Sequence, residues 1–161
     1  MIRTALEKDI EQLLEIYNYE VLNGVATFDI EPKTYEERRE WFEEHTGIYP
    51  LLVEEEEGII KAYGSLSPYR KKEAYKSTAE LSIYVHQDYR GLGYGKKMMA
   101  ALIEKAKETE ELHTIVSVIT GGNMVSDELH KIFGFTYCGR VFETGMKFGK
   151  YLDIDTYQLM V

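Results

Sequence analysis

The sequence predicts a single mixed α/β domain of the α+β type over residues 1–161, with a central mixed, twisted sheet of about seven strands flanked by helices. Three observations predict it. The length of 161 residues suits one domain with a core that needs no staples. Helical and strand-like segments are interleaved in the order β-α-α-β-β-β-α-β-α-β-β. Strict βαβ alternation is absent, which points to a mixed sheet.

The elements follow from local pattern. Met1 to Ala5 is short enough for an edge strand. From Asp9 to Leu22, the apolar Ile10, Leu13, Leu14, Tyr17 and Val21 recur at helical spacing. Asn23-Gly24 suits a helix C-cap. Ala26 to Ile30 is β-prone. Thr34-Tyr35-Glu36-Glu37 reads as a capping box that opens a helix running to about His45, with Tyr35, Arg38, Trp41 and Phe42 on one side. Pro50–Val53 and Gly58–Leu66 read as strands, and the run Glu54–Glu57 between them reads as a solvated hairpin turn. Thr78–Val85 is a strand and Gly91–Gly95 a glycine-rich turn. Lys96–Thr109 is a helix with Met98, Met99, Leu102, Ile103 and Ala106 buried. His113–Ile119 is a strand, Ser126–Phe133 a short helix stopped by Gly134, and Thr136–Phe142 and Ile154–Met160 are closing strands.

Composition excludes several function classes. Acidic residues outnumber basic ones 28 to 19, for a net charge of −9, which argues against a nucleic-acid-binding surface. The single cysteine, Cys138, cannot form an internal disulfide or a cysteine-rich zinc site. No run of apolar residues approaches a membrane span, and Met1–Asp9 lacks the apolar stretch of a signal peptide. The expectation is a cytoplasmic protein that binds neither membrane nor nucleic acid and carries no metal.

The most informative stretch is His86-Gln87-Asp88-Tyr89-Arg90-Gly91-Leu92-Gly93-Tyr94-Gly95-Lys96, which joins a strand directly to a helix. Glycines at 91, 93 and 95 leave the backbone uncovered, and the helix start adds free N–H groups and a positive dipole end. Such a turn suits a phosphate or pyrophosphate, and Arg90 and Lys96 add charge. The dinucleotide pattern G-x-G-x-x-G fails because Lys96 stands where glycine is required. The P-loop pattern fails because residue 90 is arginine and Lys97 occupies the hydroxyl position.

Arg90-x-x-Gly93-x-Gly95 resembles the signature of the GNAT superfamily of N-acetyltransferases. Asn123, Ser126, Leu129, His130 and Gly134-Phe135 resemble the second half of that family pattern. Asp9, Ile16-Tyr17-Asn18, Ala26-Thr27-Phe28, Trp41-Phe42, Glu80–Val85 and Gly145–Asp153 resemble the phosphinothricin acetyltransferase group, and this match spans nearly the whole chain.

The resemblance implies acetyl-CoA as acetyl donor. It implies that the backbone of Ile83, Tyr84 and Val85 pairs with the pantetheine amides. Arg90, Gly91, Leu92, Gly93, Tyr94, Gly95 and Lys96 are to cradle the pyrophosphate, and Asn123 with Ser126 is to meet the pantetheine arm. Asn123 is equally suited to capping the helix that begins near Met124. Glu80, an acid in an otherwise apolar strand, is the candidate general base for a protonated amine. His130 is the second catalytic candidate, as an acid to the departing thiolate or a partner in taking the amine proton. Arg70 and Tyr75 are candidates for holding the substrate, with Phe28 and Lys147 closing the pocket. His45 and His86 are expected at the surface, and Cys138 as a core or sheet residue.

The reaction expected is direct transfer of acetyl to the α-amino group of a small amino acid of the phosphinothricin or methionine sulfoximine type, in a homodimer. Two alternatives stand beside it: acetylation of a protein N-terminus or lysine, and a non-catalytic acetyl-CoA-binding module.

Overall fold

The computed structural model describes residues 1–161. The elements are β1 (Ile2–Thr4), α1 (Ile10–Asn23), α2 (Tyr35–Glu43), β2 (Leu51–Glu56), β3 (Ile59–Pro68), β4 (Thr78–Val85), α3 (Tyr94–Lys107), β5 (Thr114–Thr120), α4 (Met124–Ile132), β6 (Thr136–Lys147) and β7 (Lys150–Met160). This is the order that periodicity predicts. The seven strands form one sheet in the order β1-β2-β3-β4-β5-β7-β6. Only the β4–β5 pair is parallel; every other neighbour is antiparallel. No helix is long and apolar enough to cross a membrane.

Strand alternation gives the sheet two unlike faces. On one face, Leu66, Leu81 and Ile115 pack against Met98, Met99 and Leu102 of α3, all buried. On the other, Val53, Ile60 and Tyr63 meet Leu13 and Ile16 of α1, with Trp41 of α2 alongside. Burying each such side chain contributes about 1.5–3 kcal/mol. Gly64 lets α3 lie close on β3, since a Cβ there would stand 2.6 Å from Met98 Cγ.

Several local expectations are corrected. Ala26–Ile30 is loop, not strand. Its polar groups find side-chain partners instead of a ladder: Thr27 Oγ1 accepts from the Asp29 N–H, and the Thr27 carbonyl accepts from Lys147 Nζ. Gly24 is the C-cap of α1, as the sequence suggests, in an extended conformation. A Cβ at this position would fall 1.9 Å from Glu20 Oε1, so a larger residue there would displace the carboxylate that pairs with Arg90. The acidic run is no solvated turn. Glu54 is buried against the Met1 amino group, Glu55 pairs with Arg3, and only Glu57-Gly58 turns the chain. The capping box of α2 forms as expected: the Thr34 side chain accepts from the Glu37 N–H, and Glu37 accepts from the Thr34 N–H. The helix ends at Glu43, however, and Tyr35 is exposed. Cys138 is a sheet residue but an exposed one.

Candidate active site

The site begins where β4 and β5 part. They pair only from Thr78 to Glu80 against Thr114 to Val116, while β5 stays paired with β7 through Thr120. Leu81 to Val85 therefore has no strand partner on its β5 side. Its backbone N–H and C=O groups there are open to an extended ligand carrying amides, which could add as a strand.

The glycine turn stands at the end of this open edge. Gly91 (φ +75°) and Gly93 (φ +88°) are both left-handed, a conformation that explains the residue type. No protein acceptor takes a hydrogen bond from any N–H between Gly91 and Lys96. With the positive end of the α3 dipole behind them, these six donors fit a pyrophosphate. Around them the side chains are fixed. Tyr94 is buried and its hydroxyl donates to Glu56 at 2.8 Å, anchoring the start of α3 to β2. Arg90 pairs with Glu20 at 2.8 Å, which ties the turn to α1. Leu92 and Lys96 are exposed. Asn123 is the N-cap of α4, its Oδ1 accepting from the Ser126 N–H at 3.1 Å, while its Nδ2 has no protein acceptor.

Glu80 lies on the α1/α2 face of the sheet, in the same row as Ser82 and Tyr84 and opposite Ser67 of β3. Its carboxylate is half-buried with no ion-pair or hydrogen-bond partner, and burial alone pushes its pKa above 4.5. Ser82, Tyr84, Ser65 and Ser67 floor a cavity of about 330 Å³ beside it, walled by residues of α1, α2 and the loop between them. Burial, and the hydrogen bond to Asp29, push the Tyr17 hydroxyl in this wall up to about 12, so it is neutral at working pH.

His130 stands elsewhere. It is 2% exposed on the opposite, α3-side face, stacked on Tyr157 and edge-on to Phe135. Its Nδ1 lies 2.6 Å from the Ser126 carbonyl and so must donate, and its Nε2 accepts from Ser117 Oγ at 2.7 Å. Burial lowers its pKa below 6.5, and the imidazole is neutral. Both nitrogens are taken within the protein, and the structure does not bring His130 together with Glu80. His45, expected at the surface, is half-buried between Trp41 and Ser67: Nδ1 donates to the Trp41 carbonyl and Nε2 accepts from Ser67 Oγ. His86 is half-buried and takes the Asp88 N–H through Nδ1.

The substrate candidates are spread out. Arg70 is exposed, with its guanidinium 4.9 Å from the ring centroid of Tyr69 and 5.6 Å from that of Tyr75. This group sits on the β3–β4 loop that leads into Glu80. Lys147 is buried, donates to the carbonyls of Thr27 and Glu20, and has its pKa lowered by burial. Phe28 packs over Gly145, where a Cβ would meet its ring at 2.5 Å. Both tie β6 to the α1–α2 loop, and Lys147 lines a second, apolar groove of about 220 Å³. Sequence reasoning missed Arg38, which lines the larger cavity and is buried at 5% exposure. The available signal was a cation on the apolar side of α2. It also missed Glu20, the partner of Arg90.

The family model described as "Acetyltransferase (GNAT) family" matches residues 11–135. The chain is 35% identical to the L-amino acid N-acyltransferase MnaT of Escherichia coli K12, over 99% of this chain and 93% of that one. It is similar to the crystal structure of a ribosomal-protein-alanine N-acetyltransferase from Brucella melitensis, at TM-score 0.96 and 38% identity, covering 100% and 99% of the two chains. It is also similar to a phosphinothricin acetyltransferase from Sinorhizobium meliloti solved in complex with AcCoA, at TM-score 0.95 and 33% identity, covering 100% and 88%.

Proposed function

Because the chain belongs to the acetyltransferase (GNAT) family, we propose that it transfers acetyl from acetyl-CoA directly to the α-amino group of a small amino acid of the phosphinothricin or methionine sulfoximine type. The observation that carries this reading is the union of the open β4 edge, the six unpaired N–H groups from Gly91 to Lys96 and the unpartnered Glu80 beside a cavity of about 330 Å³. The relatives named for L-amino acids and for phosphinothricin favour an amino acid acceptor.

In this reading the Gly91–Lys96 turn holds the pyrophosphate and Ile83–Val85 pair with the pantetheine amides. Asn123 offers its free Nδ2 to the same arm, with Ser126 next to it. Acetyl-CoA supplies an activated acyl group on sulfur. Glu80, whose pKa burial raises, in its ionised form takes a proton from the substrate ammonium, directly or through a water. As the nitrogen adds to the thioester carbon, a strand N–H near Tyr84 or Val85 meets the oxyanion; the C–S bond then breaks, and the CoA thiolate leaves with the second proton from nitrogen. His130, closed in the core, acts by fixing α4 and the Ser126 backbone. Arg70 and Tyr75 border the acceptor on the β3–β4 loop, and Phe28 and Lys147 brace the loop that walls the cavity.

The acetyltransferase of a ribosomal protein among the similar structures gives the second reading, a protein N-terminus as acceptor. A cavity of about 330 Å³ walled by α1 and α2 favours a free amino acid over a chain end. Pairing into a homodimer through the apolar face that β6 and β7 expose, with Phe142, Met146, Phe148 and Tyr151, belongs to the proposal. Light scattering on the purified protein tests that part.

The reading is tested by thiol release from acetyl-CoA with phosphinothricin, methionine sulfoximine, methionine sulfone and ordinary amino acids. Turnover with one or more of them is expected. Silence across the panel, with acetyl-CoA still raising the melting temperature, overturns the choice of acceptor and keeps the donor site.

A further inference from the structure

Arg38 is a buried cation without an anion. It sits on α2 at 5% exposure and lines the cavity beside Glu80. Its Nη2 donates to Tyr63 Oη at 2.6 Å, and its guanidinium carbon lies 3.4 Å from the Trp41 ring centroid and 4.4 Å from that of Tyr17. Nε is buried with no acceptor, and Nη1 makes no hydrogen bond within the protein. The two carboxylates that line the same cavity are engaged elsewhere. Asp29 accepts from Tyr17 and lies 3.8 Å from Lys33 Nζ, and Glu37 closes the capping box. Charged groups are almost never buried unpaired, because desolvation costs several kcal/mol that only a counter-charge offsets. Stacking on aromatic rings supports the planar group but does not neutralise it.

We propose that Arg38 is the anion anchor of the acceptor site: its guanidinium, with Nη1 free of any protein acceptor, binds an oxyanion of the amino acid substrate, and Trp41, Tyr17 and Tyr63 hold the group in place. This rests on the amino acid reading above and places the main anion-binding role on a pre-positioned arginine inside the cavity rather than on the exposed Arg70. A planar fork with fixed orientation matches a carboxylate or phosphinate better than a mobile surface side chain, because less freedom is lost on binding. The ligand chemistry is an oxyanion. Its two sources are the α-carboxylate common to all amino acids and the side-chain phosphinate of phosphinothricin.

Steady-state kinetics with matched acceptors decide the matter. Methionine sulfone against its carboxamide isolates the α-carboxylate, and phosphinothricin against methionine sulfone isolates the side-chain oxyanion. In Arg38→Gln, the preference for the acceptor carrying the recognised oxyanion should collapse by about tenfold or more, in KM rather than kcat, the cost of one charge-assisted contact. Arg38→Lys, which keeps the charge and loses the fork, should fall between. The melting-temperature rise with acetyl-CoA reports an intact fold, and if Arg38→Gln does not fold, Arg38→Lys and Tyr63→Phe carry the same ratios. Loss of the acid-over-amide preference assigns the α-carboxylate; loss of the phosphinate preference assigns the side chain. Unchanged ratios in every Arg38 variant overturn the inference, as does a collapse in Arg70→Gln alone or an equal loss with all acceptors. Failure of the amino acid reading itself shows earlier, as absence of turnover in the unaltered enzyme, and the inference falls with it.

Discussion

Replacing Glu80 by glutamine should move activity and stability in opposite directions. The carboxylate is half-buried on β4 with no hydrogen-bond or ion-pair partner, and burial raises its pKa above 4.5. Glutamine preserves the shape and removes the proton acceptor. A positioned general base contributes about 10²- to 10⁴-fold, and at about 1.36 kcal/mol per tenfold that is about 2.7–5.4 kcal/mol of transition-state stabilisation. The loss should fall on kcat while acetyl-CoA binding is unchanged, since the turn and the open edge of β4 do not involve this side chain. Stability follows from linkage. A carboxylate whose folded pKa is raised favours the fold while protonated, below its unfolded value, and that contribution is lost as pH rises through the folded value. At neutral pH the ionised group is therefore a net cost, which glutamine removes. Glu80→Gln should melt at the same or a higher temperature than the unaltered protein at pH 7, and the difference should close as pH falls toward 4.5. Activity of the unaltered enzyme should decline as pH falls through the same raised pKa. Thiol-release kinetics and thermal melts over a pH series measure all of this. Activity within about tenfold of the unaltered enzyme would refute the base. A melting temperature several degrees lower would refute the claim that the carboxylate is unpartnered.

Two further outcomes are expected. Gly93→Ala places a Cβ in open space but forces alanine to φ +88°, at a cost of about 1–2 kcal/mol. For a chain of this length the melting temperature should fall by about 2–8 °C, and CoA affinity measured by isothermal titration should weaken as the N–H cradle relaxes. His130 and His45 are both held neutral by burial, with pKa values below 6.5. A depressed folded value means stability that is complete above the unfolded pKa and lost as pH falls through the folded one. Urea midpoints should therefore drop between pH 7 and pH 5, and less steeply in His130→Gln, after allowing for its lower starting stability; an equal slope contradicts the assignment of a neutral, buried imidazole.

Much of the fold was legible because its signals are local. The helical spacing of α1 and α3, the Thr34 capping box and the glycine turn each depend on residues within a few positions of one another. The β4 boundaries, Thr78 to Val85, were readable from a run of β-prone residues bounded by a basic loop and a turn. What failed depends on distant partners. The loop at Ala26–Ile30 is held by Lys147 and Tyr17, and the acidic run is ordered by Met1 and Arg3. Neither partner is visible in the local pattern. At the site, the glycines and Glu80 stood out because each is unusual where it lies. The separation of Glu80 from His130 onto opposite faces of the sheet could not be read, because it requires knowing which strand α4 packs on. Arg38 was placed on the apolar side of its helix by periodicity, but its lack of a counter-ion emerges only in three dimensions.

The central claim is transfer of acetyl to a free amino acid held in the cavity between α1, α2 and the sheet. Mass spectrometry of one reaction containing acetyl-CoA, methionine sulfone, phosphinothricin and a peptide with a free N-terminus and a lysine tests it most directly. The account predicts the N-acetyl amino acids as the products, with the peptide unmodified and no product formed by Glu80→Gln. Acetylated peptide with unmodified amino acids would contradict it.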